Sequence, residues 1–296
     1  ILIWNTQELQ AVDEAFDVDA MTHNHGVHGT QDLANVLLRS GVAFEYVTSH
    51  LSDADGLKGL EDFFVSAAAV AGLQRCRLGL LGYPFPGMGD LAVDTTQLAA
   101  SLGCSWQSIS VEEYNRRAAT ASEQSVEDLK AEYREAYALA EDLTEADLDA
   151  TARAEYSLQS MVADYRLDAL SFQFLALGDD ERTVTLPFVG ISRLMADGIG
   201  FAGEGDLIGA AGTWLLNRLC PPASFSEIFT IDFAGNALLL SHMGEANAAM
   251  ARRDRPTPLV ARPTPIVRTR GRQLALVTSF KPGTATLSAL ALGPNG

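Results

Sequence analysis

The chain has 296 residues, 47% hydrophobic and 20% charged, and its 21 Lys and Arg against 38 Asp and Glu leave a formal charge of −17. That composition excludes a disordered chain, and the charge argues against a nucleic-acid or anionic-membrane partner, because phosphates would be repelled over most faces. It leaves room for a divalent cation, which needs carboxylates.

Short apolar runs alternate with longer segments of helical period, the pattern of βαβ units. Ile1–Trp4 reads as a strand, and His28–Ser40 as a helix with Leu33, Val36 and Leu37 on one stripe and Gly41 at the C′ position. Phe44–Thr48 predicts a second strand and Leu60–Leu73 a helix. Arg77–Tyr83 reads as a buried strand ending at the turn Pro84-Phe85-Pro86-Gly87. Ser125-Val126-Glu127-Asp128 and Thr144-Glu145-Ala146-Asp147 match a capping box closed by Asp, so each predicts a helix start. Leu207–Leu219 is an apolar helix. From about residue 217 Val, Thr, Leu and Pro dominate, and Pro256, Pro258, Pro263 and Pro265 break any helix. There Ala237–Ser241, Leu259–Arg262, Ile266–Thr269, Leu274–Ser279 and Ala285–Leu290 read as antiparallel strands.

The expected fold is α/β, with Rossmann-like α/β layers followed by a β-rich, antiparallel barrel-like C-terminal piece. The expected boundaries are 1–74 for a partial N-terminal α/β domain, 75–216 for a central α/β domain and 217–296 for a partial β-rich domain. The chain opens on Ile1-Leu2-Ile3-Trp4, without Met, and closes on a turn, Leu292-Gly293-Pro294-Asn295-Gly296, which reads as a piece cut from a longer chain. No apolar run reaches the roughly 18 residues of a membrane span, and no basic-then-apolar leader is present. Cys76, Cys104 and Cys220 are widely spaced and form neither a CxxC pair nor a disulfide framework, which fits a reducing compartment, so the cytoplasm is expected.

The richest segment for chemistry is Gly198–Gly212, GIGFAGEGDLIGAAG. Gly198, Gly200 and Gly203 spell a literal GxGxxG, but that fingerprint needs a strand before it and a helix at its end. The preceding Ile191–Ala196 has helical rhythm instead, so the glycines are read as letting backbone pack closely around Glu204. Glu204, between two glycines in an apolar stretch, is either a neighbour of a helix cap or a ligand. Glu227 lies on the strand-like Ser226–Thr230, and His242 ends the apolar run Ala237–Leu240. Two carboxylates and an imidazole suit Mn²⁺, Mg²⁺ or Co²⁺, although their spacing requires the fold to assemble them, and a backbone-bonded buried histidine is the plain alternative for His242. His23, His25 and His28 cluster in Thr22–Gly29, expected to be a loop at a βα junction that contacts substrate.

With those residues in view, the chain resembles the L-arabinose isomerase family, within the wider group that includes L-fucose isomerase. Gly200-Phe201-Ala202-Gly203-Glu204-Gly205-Asp206 is similar to that family's GFAGEGD motif, and Glu227 and His242-Met243 follow in similar order and spacing. Asn24-His25-Gly26-Val27-His28-Gly29 is similar to its N-Q-x-A-H-G loop, and Leu194-Met195-Ala196, Gly87-Met88 and Phe174 fall at comparable places. The resemblance covers the middle of the family's chain. It implies aldose–ketose isomerisation through a cis-enediol, with Glu204 and Glu227 as acid/base pair and metal ligands and His242 as a third ligand. It also implies Mn²⁺ as the preferred ion over Co²⁺ or Mg²⁺, and His25, His28, Met88, Phe174 and Phe229 as substrate contacts. A free sugar and further copies of the chain, as a trimer, tetramer or hexamer, are the implied partners. The family's fourth ligand, a downstream histidine, has no counterpart after His242. His25 replaces its glutamine and Phe229 its tyrosine, which leaves the sugar open. A non-catalytic sugar-binding or regulatory relative is the rival expectation.

Overall fold

The computed structural model describes residues 1–262, 264 and 266–293; Pro263, Pro265 and the end of the closing turn, Pro294 to Gly296, lie outside the described residues. Contacts divide the chain into Ile1–Ala71 and Gly72–Gly296.

In the first unit β1 (Leu2–Asn5) and β2 (Glu45–Thr48) pair in parallel, Leu2 opposite Glu45, with Ile3 buried. Between them run α1 (Val18–His23), capped by Asp17, and α2 (Gly26–Arg39), which ends before Gly41 at φ +66°. α3 spans Ala54–Leu73 and so begins earlier than the apolar stripe from Leu60 suggested. The expected loop Thr22–Gly29 is corrected here. It holds the end of α1 and the start of α2, so His28 is a helical residue and His25 the residue that caps α2, with no side-chain hydrogen bond to the helix. The junction joins two helices, not a strand and a helix.

The second unit is built on a parallel sheet in the order β4-β3-β6-β7, formed by β3 (Arg77–Leu81), β4 (Ser105–Ile109), β6 (Ala169–Phe172) and β7 (Gly200–Gly203). Its helices are α4 (Thr95–Leu102), α5 (Val111–Ala119), α6 (Glu123–Ala136), α7 (Glu145–Tyr165), α8 (Phe174–Gly178), α9 (Phe188–Ala196) and α10 (Leu207–Leu219). A short strand β5 (Tyr137–Leu139) stands between α6 and α7. Successive residues of a strand face opposite sides. Leu81, Leu170 and Phe201 therefore join Leu158, Met161 and Ile191 in one core layer. Leu78, Leu80, Ala169 and Ala202 join Leu98 and Trp214 in the other. With both faces covered, β6 and β7 are buried throughout, as parallel strands generally are. The strand order reverses between β3 and β6, so the carboxyl ends of these strands form the crevice where α/β folds hold ligands.

Neither β4 nor β6 is marked by an apolar run. β4 is Ser-Trp-Gln-Ser-Ile on the sheet edge with Trp106 exposed, and β6 is only four residues long. Thr144 and Asp147 form the expected capping box of α7. α6, by contrast, starts at Glu123 on a Ser122 cap, whose hydroxyl accepts from Ser125 N, so the start expected at Ser125 moves one turn earlier.

The C-terminal segment folds as β8 (Glu227–Asp232), β9 (Ala237–Ser241), a 3₁₀ turn (Ala248–Met250), β10 (Thr257–Arg262) and β11 (Gln273–Leu276). β8 and β9 make an antiparallel hairpin, while β10 pairs antiparallel with β11 and parallel with β5. Two expected strands are absent among the described residues, and no barrel closes there. Val267, in the expected strand Ile266–Thr269, plugs the core against Gly178, and in Ala285–Leu290 only Leu290 reaches inward, against Gly212. A single anchoring side chain fixes a segment without a ladder partner, so neither run needs to be a strand. No helix among the described residues is long and apolar enough to cross a membrane.

Two polar groups are taken deep inside. Glu155 on α7 is fully buried, accepting from Tyr133 Oη at 2.7 Å and Gln159 Nε2 at 2.8 Å and pairing with Arg193 Nε at 3.1 Å, which meets the requirement that buried charge be partnered. Asp147 accepts from Thr144 N at 2.8 Å and from Arg272 Nε at 3.1 Å, joining α7 to the residue before β11. The Arg272 guanidinium, assisted by Thr144 and outweighing burial, holds the Asp147 carboxyl down at about 2. This stabilisation is complete above the unfolded value of about 3.9 and is lost as pH falls through about 2. Asp147→Asn should therefore cost about 1–2 kcal/mol in urea unfolding at pH 7, and its gap from wild type should close between about pH 4 and pH 2. Equal urea midpoints at pH 7 would refute this account.

Candidate active site

Beyond β7 the chain turns through Gly203-Glu204-Gly205-Asp206 before α10 begins. Asp206 caps α10, its Oδ1 accepting from Gly209 N at 2.9 Å. Glu204 sits at φ +67°, a conformation L side chains rarely adopt, and Gly205 at φ +88°. Three contacts hold the turn there. Phe85 N donates to Glu204 O at 2.9 Å, Gly205 N donates to Ser171 Oγ at 2.9 Å, and Ser171 Oγ donates to Ala202 O at 2.7 Å. A Cβ on Gly205 would lie 2.6 Å from Tyr83 O, so only glycine lets the turn approach the loop after β3 this closely.

The other glycines of the GxGxxG pattern have packing roles. Gly198 is in the turn before β7, while Gly200 and Gly203 are its first and last residues. A Cβ on Gly200 would lie 2.4 Å from Ala210 O of α10, and one on Gly203 would lie 2.8 Å from His242 Nε2. The three glycines thus span a strand, whereas the dinucleotide fingerprint turns from a strand into a helix.

The turn opens on a cavity of about 110 Å³ lined by Phe172, Phe174, Leu186, Phe188, Gly203, Glu204, Glu227, Phe229, His242, Met243, Glu245, Thr264 and Ile266. Glu204, Glu227 and His242, far apart in sequence, therefore face one space, with Phe174 and Phe229 in its wall. Met88 is half-exposed in the loop after β3 and is not among the lining residues. His28 lies on α2 of the first unit and His25 immediately before it.

Glu227 begins β8 opposite Ser241, the residue before His242, and the hairpin ladder thereby sets it beside the imidazole's strand end. Contrary to the apolar background expected around it, β8 is exposed along its length. Ile228 and Ile231 stand out from the unit instead of entering the core, while Phe229, half-exposed, borders the cavity.

Glu245 and Phe225 were not singled out by the sequence. Glu245 Oε2 lies 2.6 Å from His242 Nδ1, and its side chain is 1% exposed. With Glu245 accepting from Nδ1–H, the Nε2 lone pair is left facing Gly203 and the cavity. Phe225 packs edge-on against the imidazole, with ring centroids 5.0 Å apart, and edge-on against Phe201. The only sequence signal for Glu245 is its place three residues after His242; Gly244, whose Cβ would meet the Phe188 ring at 2.4 Å, lets the chain pass that wall.

Electrostatics mark the same cluster. Burial, reinforced by the charge of Glu227, raises the Glu204 carboxyl above the usual carboxylate range. For His242, burial works against the charged form, but Glu245, Glu227 and Glu204 outweigh it and hold the imidazole above its ordinary value. Three carboxylates around one imidazole offer oxygen and nitrogen donors of the kind that hard and borderline divalent ions take. Among the described residues no three such side chains are gathered into a ready-made ligand cluster, so the donors stand open around the cavity. A larger groove of about 690 Å³ at the ends of β3 and β4 contains no histidine, and its Glu113 is tied to Arg117 and Tyr165.

Residues 92–219 match the family described as L-arabinose isomerase central domain. The L-arabinose isomerase of Anoxybacillus flavithermus is 28% identical over 247 residues, covering 80% of this chain and 49% of that protein. That of Acidothermus cellulolyticus is 29% identical over 240 residues, covering 77% and 47%. That of Mycolicibacterium smegmatis is 29% identical over 251 residues, covering 80% and 49%. The chain spans about half the length of the curated relatives it matches. Its α/β sheet, its glycine-clamped Glu204 and these matches agree in making the chain similar to the L-arabinose isomerases, with residues 92–219 corresponding to their central domain.

Proposed function

We propose that the protein is a metal-dependent aldose–ketose isomerase of the cytoplasm that interconverts a free L-arabinose-like or L-fucose-like aldose and its ketose. The observation that carries this reading is the convergence of Glu204, Glu227 and His242, with Glu245 behind the imidazole, on one cavity walled by Phe174, Phe188 and Phe229.

Isomerisation moves a proton between C1 and C2 through a cis-enediol and needs a group on each side of that transfer. Glu204, fixed by its turn, and Glu227, at the root of the hairpin, supply the acid/base pair. The same two carboxylates and His242 Nε2 are the donors that would hold a divalent ion, Mn²⁺ ahead of Co²⁺ or Mg²⁺. When bound, such an ion supplies stabilisation for the negative charge that develops on the two sugar oxygens. Glu245 holds the imidazole in one tautomer and orientation. The aromatic wall excludes water from the reacting carbons and leaves the sugar's hydroxyls to be matched by polar groups such as Thr264. His25, His28 and Met88 are proposed as further substrate contacts. Assembly of several copies is supported by the hairpin, where Ile228, Phe233 and Leu239 are 62, 88 and 55% exposed, a concentration of apolar surface that monomers seldom leave uncovered.

In the full-length enzyme with Mn²⁺, Glu204→Gln and Glu227→Gln should each lower turnover by a factor of about 10³ or more with an unchanged circular dichroism spectrum. Near wild-type turnover from either variant would refute the assignment, and sugar binding without turnover in the wild type would select the non-catalytic relative. Gly203→Ala tests the approach of the imidazole. Its Cβ would lie 2.8 Å from Nε2, so turnover should fall at least about tenfold and the overpacked strand should also melt lower; wild-type turnover would refute the close approach. Glu245→Gln should weaken Mn²⁺ binding or activity by about 10- to 100-fold; a variant equal to wild type in both would show the hydrogen bond to be structural only.

A further inference from the structure

The isomerase chemistry leaves the cysteines unused, and the fold brings together two that the sequence sets far apart. Cys76 immediately precedes β3 and Cys104 immediately precedes β4. The parallel register pairs Arg77 with Ser105, and Ser105 N donates to Cys76 O at 2.9 Å, so the two cysteines begin neighbouring strands side by side. Cys104 Sγ donates to Leu73 O at 3.3 Å, across the same strand ends. Neighbouring strands run about 4.8 Å apart, within the range of Cα separations that a disulfide spans. Both side chains are buried, among the core residues beside Leu78 and Leu98, but the chain on either side of each is exposed. Arg75 and Arg77 on either side of Cys76 are exposed, as are Gly103 and Ser105 on either side of Cys104. Each sulfur acts on the other: the neighbouring Cys76 lowers the Cys104 thiol from its ordinary value, while Cys104 and burial raise Cys76 and keep it protonated. The pair thus divides into an attacking and a resolving thiol.

We propose that Cys76 and Cys104 are a peroxide-responsive dithiol that closes into an intramolecular disulfide. The Cys104 thiolate attacks one oxygen of hydrogen peroxide, the O–O bond breaks, and the departing hydroxide takes up a proton as water, leaving a sulfenic acid. The Cys76 sulfur then attacks the Cys104 sulfur, the S–O bond breaks, and the hydroxyl leaves as water with the Cys76 proton. The two thiols lose two protons and two electrons, and the peroxide is reduced to two waters. The bond forms at the amino ends of β3 and β4, whereas Glu204 lies beyond the carboxyl end of β7.

The test uses the full-length protein carrying Cys220→Ser, which removes the exposed thiol. It is treated with stoichiometric hydrogen peroxide, alkylated in denaturant and mapped by peptide mass. The expected result is a linked Cys76–Cys104 peptide lighter by two hydrogens, with both thiols returning after dithiothreitol. Adding Cys76→Ser should stop the reaction at a Cys104 sulfenic acid that dimedone traps. Recovery of both thiols fully alkylated after peroxide, or conversion of Cys104 to sulfinic acid with no linked peptide, would overturn the proposal.

Discussion

The site depends on one tight backbone turn. Glu204 occupies a left-handed conformation between two glycines, neither of which has room for a side chain: one faces His242 and the other the carbonyl of Tyr83. A left-handed non-glycine residue costs roughly 1 kcal/mol or more and persists only where its surroundings over-determine it. Here Ser171 Oγ and Phe85 N supply that determination from β6 and from the loop after β3. The strain aims a carboxylate into the cavity at the head of α10, with Asp206 alone taking the capping duty that acids at helix starts usually perform.

The turn can be held because the sheet beneath it is buried on both faces. Leu81, Leu170 and Phe201 pack against α7 and α9, Leu78 and Ala202 against α4 and α10, and Gly200 lets α10 approach β7 closely. The reversal of strand order at β3 and β6 then brings the loops after β3, β6 and β7 together. The hairpin contributes differently. It carries Glu227 and His242 at its root while its outer part stands exposed, so its fixed position relies on that root: the Ser241–Glu227 register, Phe225 against the imidazole, and Glu245 bonded to Nδ1.

Much of this was legible because some residues act through local chemistry. Thr144 and Asp147 cap a helix wherever they stand at that spacing, and Leu207–Leu219 has no better use than a buried helix. The α6 start was misplaced because only Ser125 has the Asp three residues on that completes a capping box, whereas Ser122 caps the helix through its hydroxyl alone. β4 and β6 were missed because a short or edge strand draws its partners from distant segments. The histidine cluster was misread because α1 is started by the Asp17 cap and α2 begins at Gly26 with no side-chain cap to mark it. Expected strands at Ile266–Thr269 and Ala285–Leu290 failed because apolar composition reports burial of a side chain and says nothing of a ladder partner.

By itself the sequence determined the α/β class and the family resemblance, and it singled out Glu204, Glu227 and His242 as candidates, because glycine spacing and the residue types that can act as ligands are local properties. Only the tertiary structure decided that Glu204, Glu227 and His242 share a cavity, that Glu245 orients the imidazole, and that Cys76 and Cys104 are neighbours. Each of those depends on strand order and register, which couple residues tens of positions apart through backbone hydrogen bonds that no side-chain pattern encodes.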